Sequence, residues 1–212
     1  MELTKEDLQQ AYITSVLDNN DRPKSVYRFS KTVQTDEADF YHHYASLNAI
    51  ETDICSRFFD KTLENLEKQA VYNEYSAREK LLAFCYTLIE VAKEQRSYLK
   101  LTFPDNPMAL SLYPKLLSGF KRKFIDYGSD LVQEGVGSHE IESRLFISNQ
   151  YSIFLWNVVV FVLFYWLKDE SKDFERTDTF IEKTVNLAFD IIGRTAFDSA
   201  FDLAKFLLNP PK

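Results

Sequence analysis

Residues 25–51 read SVYRFSKTVQTDEADFYHHYASLNAIE. Ser25 is a natural N-cap, because its hydroxyl can accept from an amide of the first turn. Val26, Phe29 and Val33 then recur at helical spacing. Thr35 or Asp36 caps a second short helix through DEADFYHHY, and Gln34 sits in the tight turn between the two. Upstream, Thr4 with Asp7 three residues on forms a capping box for a first helix. Its buried stripe is Leu8, Ala11, Tyr12, Val16 and Leu17, and DNNDRPK (18–24) ends it. Three short helices in about 45 residues, the last two tightly joined, form the pattern of a helix-turn-helix module.

Helical spacing continues beyond the module, with no run of period two. A helix is expected from about Leu47, and another over Ala77–Gln95. TFPDNPM (102–108) interrupts, and short helices follow at 109–118 and 120–134. EGVGS (134–138) reads as a loop, followed by a long helix from His139 to Leu167. Thr179 and Glu182 form a capping box opening the next helix, and Phe197, Phe201, Ala204 and Leu208 mark a last one. The expected fold is all-α: a module over 1–46 and a larger helical ligand-binding and dimerisation domain over 47–212.

Composition agrees. The 212 residues include only five Gly and six Pro, which argues against a turn-rich β fold and against a Gly-rich phosphate loop. A net charge of −7 excludes a non-specific polyanion binder. Residues 151–167, YSIFLWNVVVFVLFYWL, carry no charge, but Asn157 lies mid-stretch and KDES follows at once. The reading is a buried bundle helix rather than a membrane span, and hence a cytoplasmic protein. Cys55 and Cys85 form no CxxC or Cys/His cluster and read as buried, reduced thiols. Adjacent His42 and His43 point about 100° apart on a helix and cannot pair on a metal. His139 reads as a helix start. The sequence offers no nucleophile–base pair, so neither catalytic residues nor a cofactor or metal is expected. Lys115 and Lys121-Arg122-Lys123 read as a solvated basic face.

The 25–51 segment resembles the N-terminal module of the TetR family of transcriptional regulators. Ser25, Val26, Phe29 and Val33 match its second helix; Phe40, Tyr41 and Tyr44 match its third; and Ser46, Ala49 and Ile50 match the start of its fourth. The resemblance implies DNA contacts from Ser25, Tyr41 and His42, to which Lys24, Arg28 and Lys31 add phosphate contacts. The departures matter as much. Gln34 replaces the turn glycine, Asp36, Glu37 and Asp39 stand where DNA-facing residues belong, and Leu47 replaces a phosphate-gripping lysine. Residues 1–50 hold five basic and eight acidic groups, whereas DNA binders draw most of their affinity from neutralising phosphates.

A second likeness lies at 164–192. Phe164, Asp169 or Lys168, Ser171, Thr177 and Ile181 follow a pattern of TetR-family effector domains. A similar stretch occurs in TetR-fold lipid-binding accessory proteins of ubiquinone biosynthesis, which do not act as repressors. Ser171, Thr177 and Thr179 are also plain cap candidates. The family implies a homodimer through the last two helices, with Ile181, Val185, Ala188 and Ile192 and then Phe197, Phe201, Ala204 and Leu208 as its surface; ordinary core is the other reading of such a stripe. The aromatic loading points to a pocket for a hydrophobic small molecule or lipid, with Phe84, Phe103, Tyr113, Phe124, Trp156, Phe161 and Phe164 as lining candidates. Two functions follow: a ligand-responsive regulator with weakened DNA binding, or a lipid or isoprenoid carrier that no longer reads DNA.

Overall fold

The computed structural model describes residues 3–105, 107–108, 115–143 and 148–193. Among them every regular element is helical: α1 (Lys5–Asn19), α2 (Val26–Thr32), α3 (Glu37–His43), α4 (Leu47–Glu67), α5 (Ala77–Lys93), α6 (Arg96–Thr102), α7 (Ser118–Gly137), α8 (Ser148–Lys168) and α9 (Glu175–Ile192), with short 3₁₀ turns at Ala70–Glu74 and Lys172–Phe174. The chain divides into two compact units. The first comprises Met1–Lys61 with Glu90–Lys123, and the second Thr62–Ile89 with Phe124–Lys212.

The module forms as its sequence dictates. Thr4 Oγ1 accepts from the Asp7 amide at 3.1 Å, and Asp7 Oδ2 accepts from the Thr4 amide at 3.0 Å, closing the box on α1. Ser25 Oγ accepts from the Arg28 amide at 3.2 Å and starts α2. Phe29 meets Tyr12 and Phe40 edge-on at ring separations of 5.4 and 5.8 Å, so one aromatic centre joins all three helices. Gln34 in the turn has φ 56°, the left-handed region that a Cβ disfavours by roughly 1–2 kcal/mol. Gln34→Gly relieves that strain but frees the unfolded chain. The net expectation is a gain of about 0.5 kcal/mol, read as a thermal midpoint about 1–2 °C higher.

Several boundaries differ from the sequence reading. The backbone at Gln95 leaves the helical region (φ −126°, ψ 26°), which ends the 77–95 helix early at Lys93 and lets α6 begin at Arg96. Burial of Tyr98, Leu99 and Thr102 holds α6 in place, a helix that sequence spacing does not mark. Beyond it, the helix expected over 120–134 is α7, somewhat longer at each end; most of the one expected over 109–118, with Tyr113, lies outside the described residues. Within α7, Gly119 and Gly135 permit close approach. A Cβ at Gly135 would stand 2.6 Å from Ile141 Cδ1, and one at Gly119 3.1 Å from Ser56 Cβ. EGVGS is therefore helical through Gly137, and the turn follows, with His139 at φ 64°. His139 starts no helix, and the α8 of the described residues runs over Ser148–Lys168.

The Thr179 capping box is also absent. Thr179 lies inside α9 and donates to the Glu175 carbonyl at 3.1 Å, because other residues, described below, open that helix earlier. The last expected helix, with Phe197, Phe201, Ala204 and Leu208, lies outside the described residues. In α9, Ile181, Val185, Ala188 and Ile192 are all buried within the chain, so this stripe is core and not the partner-facing surface expected of it.

Among the described residues one helix, Gln150–Lys168, is long and apolar enough to cross a membrane, and 67% of that window is buried inside the fold. Both cysteines are free and fully buried, and burial pushes the Cys85 thiol up to about 12. In the basic cluster, Lys123 is committed to Asp60 at 2.6 Å, whereas Lys115, Lys121 and Arg122 are exposed.

Candidate functional site

Two places carry the residues singled out by sequence: the exposed side of the module and the aromatic interior of the second unit. In the module, Lys24, Ser25, Arg28, Lys31, Tyr41 and His42 are all exposed. Lys24 pairs with Asp21 at 2.5 Å, whereas Arg28 and Lys31 form no ion pair among the described residues. Ser25 spends its acceptor on capping α2 and keeps its hydroxyl proton for donation. Of the three carboxylates, Asp39 accepts from Thr35 Oγ1 at 2.9 Å and belongs to the turn. Asp36 and Glu37 remain exposed, and Asp36 makes no side-chain capping bond.

Two polar networks anchor the module within the first unit. In one, Gln9 Nε2 donates to Tyr44 Oη at 2.8 Å and to Asp53 Oδ2 at 2.6 Å, and Gln9 Oε1 accepts from Arg57. Asp53 also takes Lys5 at 2.8 Å and the Tyr44 hydroxyl at 2.9 Å. Burial alone would raise the Asp53 carboxyl, but these donors, led by Lys5, hold it below its ordinary value. In the other, Glu51 is 6% exposed and accepts from Tyr12 Oη at 2.7 Å and Arg22 Nε at 2.6 Å, while Arg22 Nη2 donates to the Thr102 carbonyl at the end of α6. The sequence reading missed both. The available signal was Glu51, an acid between the apolar positions Ile50 and Ile54.

In the second unit Phe84, Phe124, Tyr127 and Trp156 form a ring cluster. Phe84 stacks on Tyr127 at 5.1 Å and meets Phe124 edge-on at 5.3 Å, and Phe124 lies 5.8 Å from Trp156. Tyr127 Oη and Tyr72 Oη lie 2.8 Å apart, giving the cluster a polar end. Phe164 is buried in the same unit, whereas Phe161 is 52% exposed and lines no interior. It sits on the outward side of α8, which hydropathy alone does not mark in a helix so apolar. Phe103 is buried in the first unit, whereas Phe84, Phe124, Trp156 and Phe164 belong to the second.

Between α8 and α9 the chain makes a constrained turn around Asp169. Its carboxylate accepts from the Ser171 amide (2.8 Å) and hydroxyl (2.7 Å) and from the Thr177 amide (2.9 Å) and hydroxyl (2.6 Å). Asp173 and Phe174, at φ 52° and 62°, take left-handed conformations within this span. Burial by itself would raise the Asp169 carboxyl; the donors, Thr177 foremost, bring it down to about 2. The structure therefore selects Asp169, not Lys168, as the acidic partner of Ser171 and Thr177.

Residues 80–207 match the family model of the tetracyclin repressor-like C-terminal domain. The chain belongs to the tetracyclin repressor-like (TetR) family. Solved structures share its fold. A regulatory protein in the tetR family from Rhodococcus RHA1 superposes with a TM-score of 0.53 at 11% identity, covering 89% of this chain and 96% of that one. A protein with unknown function from Rhodococcus sp. RHA1 gives 0.51 at 13%, covering 88% and 96%. A transcriptional regulator from Cytophaga hutchinsonii gives 0.50 at 14%, covering 89% and 98%. No curated protein matches the sequence. In TetR terms, α1–α3 are the helix-turn-helix module, and Asp169, Ser171 and Thr177 are effector-domain positions whose work here is to open α9. Among the described residues no group of three or more His, Cys, Asp or Glu side chains is placed to hold a metal.

Proposed function

We propose that this TetR-family protein is a ligand-responsive transcriptional regulator whose module grips duplex DNA weakly. The observation that carries the reading is the intact three-helix module, which presents Arg28 and Lys31 to solvent without ion-pair partners among the described residues. Ser25, Lys24, Tyr41 and His42 stand exposed beside them as further contacts. Asp36 and Glu37 oppose phosphate approach, and Leu47 supplies no charge. The family's regulators act as dimers. In a homodimer built from α9 and the helix expected over 197–208, α9 would supply the exposed apolar residue Leu187. A hydrophobic small molecule would bind against the Phe84, Phe124 and Trp156 rings, with the Tyr72–Tyr127 pair meeting any polar group it carries.

Titration of the protein against duplex DNA from its own upstream region, from low to physiological salt, tests this. Two modules with about two phosphate contacts each predict a log–log salt slope near −4, or roughly a hundredfold loss of affinity between 50 and 200 mM salt. Absence of binding even at low salt overturns the regulator reading for that DNA. It favours the second one, a TetR-fold carrier of a lipid or isoprenoid, to which exposed Asp36 and Glu37 on the DNA-reading helix lend weight.

A further inference from the structure

The acidic start of α3 borders a hollow. A depression of about 410 Å³ between α2 and the α2–α3 turn is lined by Tyr27, Ser30, Lys31, Thr35, Asp36 and Glu37. That volume falls within the range of small-ligand sites, roughly 300–1,000 Å³. Two carboxylates face one ammonium there, so the lining carries a net negative charge. Asp36 and Glu37 enter no ion pair among the described residues, and Asp36 does not cap α3. Apart from facing the positive end of the short α3 dipole, their charge has no partner in the fold among the described residues. Tyr27 is 60% exposed, a large ring held on the surface at the edge of an acidic depression. Ser30 adds an independent observation: it is 2% exposed, lines the hollow, and its Oγ has no hydrogen-bond partner. A buried hydroxyl in that condition costs stability unless something brought to the site satisfies it.

A flat cation with several donors suits the two carboxylates, the Tyr27 ring and the Ser30 hydroxyl, and faces repulsion only from the Lys31 ammonium. Guanidinium stacks on an aromatic face, pairs with carboxylates in bidentate geometry and has N–H groups left over for a hydroxyl. We propose that this hollow receives an arginine side chain from a basic segment of a partner protein. The acidic substitutions in the module are then a docking device, and an occupied hollow holds a foreign cationic segment against α2 and α3, where DNA would approach. A basic partner thus acts as an antagonist of DNA binding. The docking site goes beyond the regulator reading and stands without it, whereas the antagonism rests on that reading.

The test uses the whole protein and a fluorescein-labelled (Arg-Gly)4 peptide, with (Lys-Gly)4 as the equal-charge control. Fluorescence anisotropy should show the arginine peptide binding at least tenfold tighter. Asp36→Asn with Glu37→Gln should lower that affinity tenfold or more, and Tyr27→Ala should bring the arginine peptide down to the level of the lysine one. Circular dichroism should stay unchanged, since none of these side chains is buried. Equal affinity for the two peptides, or unchanged affinity in the double variant, overturns the proposal, because net charge alone would then explain binding. Upstream duplex DNA separates this result from the regulator reading. Arginine-selective binding without DNA binding leaves the docking site standing and removes the regulator. DNA binding with no arginine preference does the reverse. Where both bind, the peptide should displace the DNA, and failure to do so overturns the antagonism.

Discussion

Asp169→Ala should unfold at a thermal midpoint lower by roughly 9 °C, because the substitution strips the acceptor from four donors at once. Two are backbone amides and two are hydroxyls, and Asp169 itself is 5% exposed. Hydrogen bonds to a charged group contribute about 1.5–3 kcal/mol each in favourable cases, though not additively, and buried donors left unpaired cost more than the lost bonds. A total near 3 kcal/mol is expected, and for a chain of this size each kcal/mol moves the midpoint by about 2–4 °C. The pH dependence has a fixed sign. A carboxyl held at about 2 in the folded chain, below its unfolded value, contributes stability that is present in full above about pH 4 and is lost as pH falls through 2. The gap between wild type and Asp169→Asn should therefore be widest at neutral pH and close between pH 4 and 2. Calorimetry at stepped pH reads this, and a gap independent of pH would refute the role of the charge.

Arg22→Ala should be comparably damaging, for a different reason. It leaves Glu51 buried with the Tyr12 hydroxyl but without its cation, and breaking such a pair costs about 3–5 kcal/mol. Arg22 is 31% exposed, which places the expectation at the lower end, near 3 kcal/mol. Urea denaturation of Arg22→Ala, Glu51→Gln and the double variant resolves the mechanism. The double variant should be less destabilised than the sum of the singles, because the neutral amide that replaces the Glu51 carboxylate no longer needs the guanidinium. Strict additivity would show that the two side chains do not act as a pair. Losing the Arg22 bond to the Thr102 carbonyl also detaches the α1–α2 connection from α6, so the variant should exchange amide protons faster in α6 than in α4.

How much of this was written in the sequence depends on the range of the interaction involved. Caps act over three residues, so Thr4 with Asp7, and Ser25, could be read directly and stand as expected. The turn at Gln34 was legible because the spacing of Phe29 and Phe40 demands it, whatever residue fills it. Glycine misled the reading along α7, where EGVGS, with Gly135 and Gly137, looked like a loop. Gly119 admits Ser56, 63 residues away in the chain, and Gly135 admits Ile141, which the following turn brings back onto the helix. Thr179 and Glu182 had the right spacing for a box, but Thr177, eight residues after Asp169, had already opened the helix. Phe161 and Ile181 show the same limit for packing: periodicity says that a helix has an apolar side, while only the fold says whether that side meets the chain's own core. The charged centre at Glu51 depends on Arg22, 29 residues away, and no local pattern announces it.

The first compact unit joins Met1–Lys61 to Glu90–Lys123 and so is interrupted in the chain by Thr62–Ile89. During synthesis the three module helices leave the ribosome well before α6, the stretch of chain that Arg22 must reach 80 residues later. At about 5–20 residues per second, the wait between Arg22 and Thr102 is on the order of 4–16 s. For that interval the nascent module has its aromatic centre but lacks the α6 side of its polar anchor, and its buried acid stays accessible to water. Completion of the unit is thus timed by the arrival of a later stretch of chain. A module able to engage a partner only in its finished form would be held back from doing so until synthesis had passed Lys123.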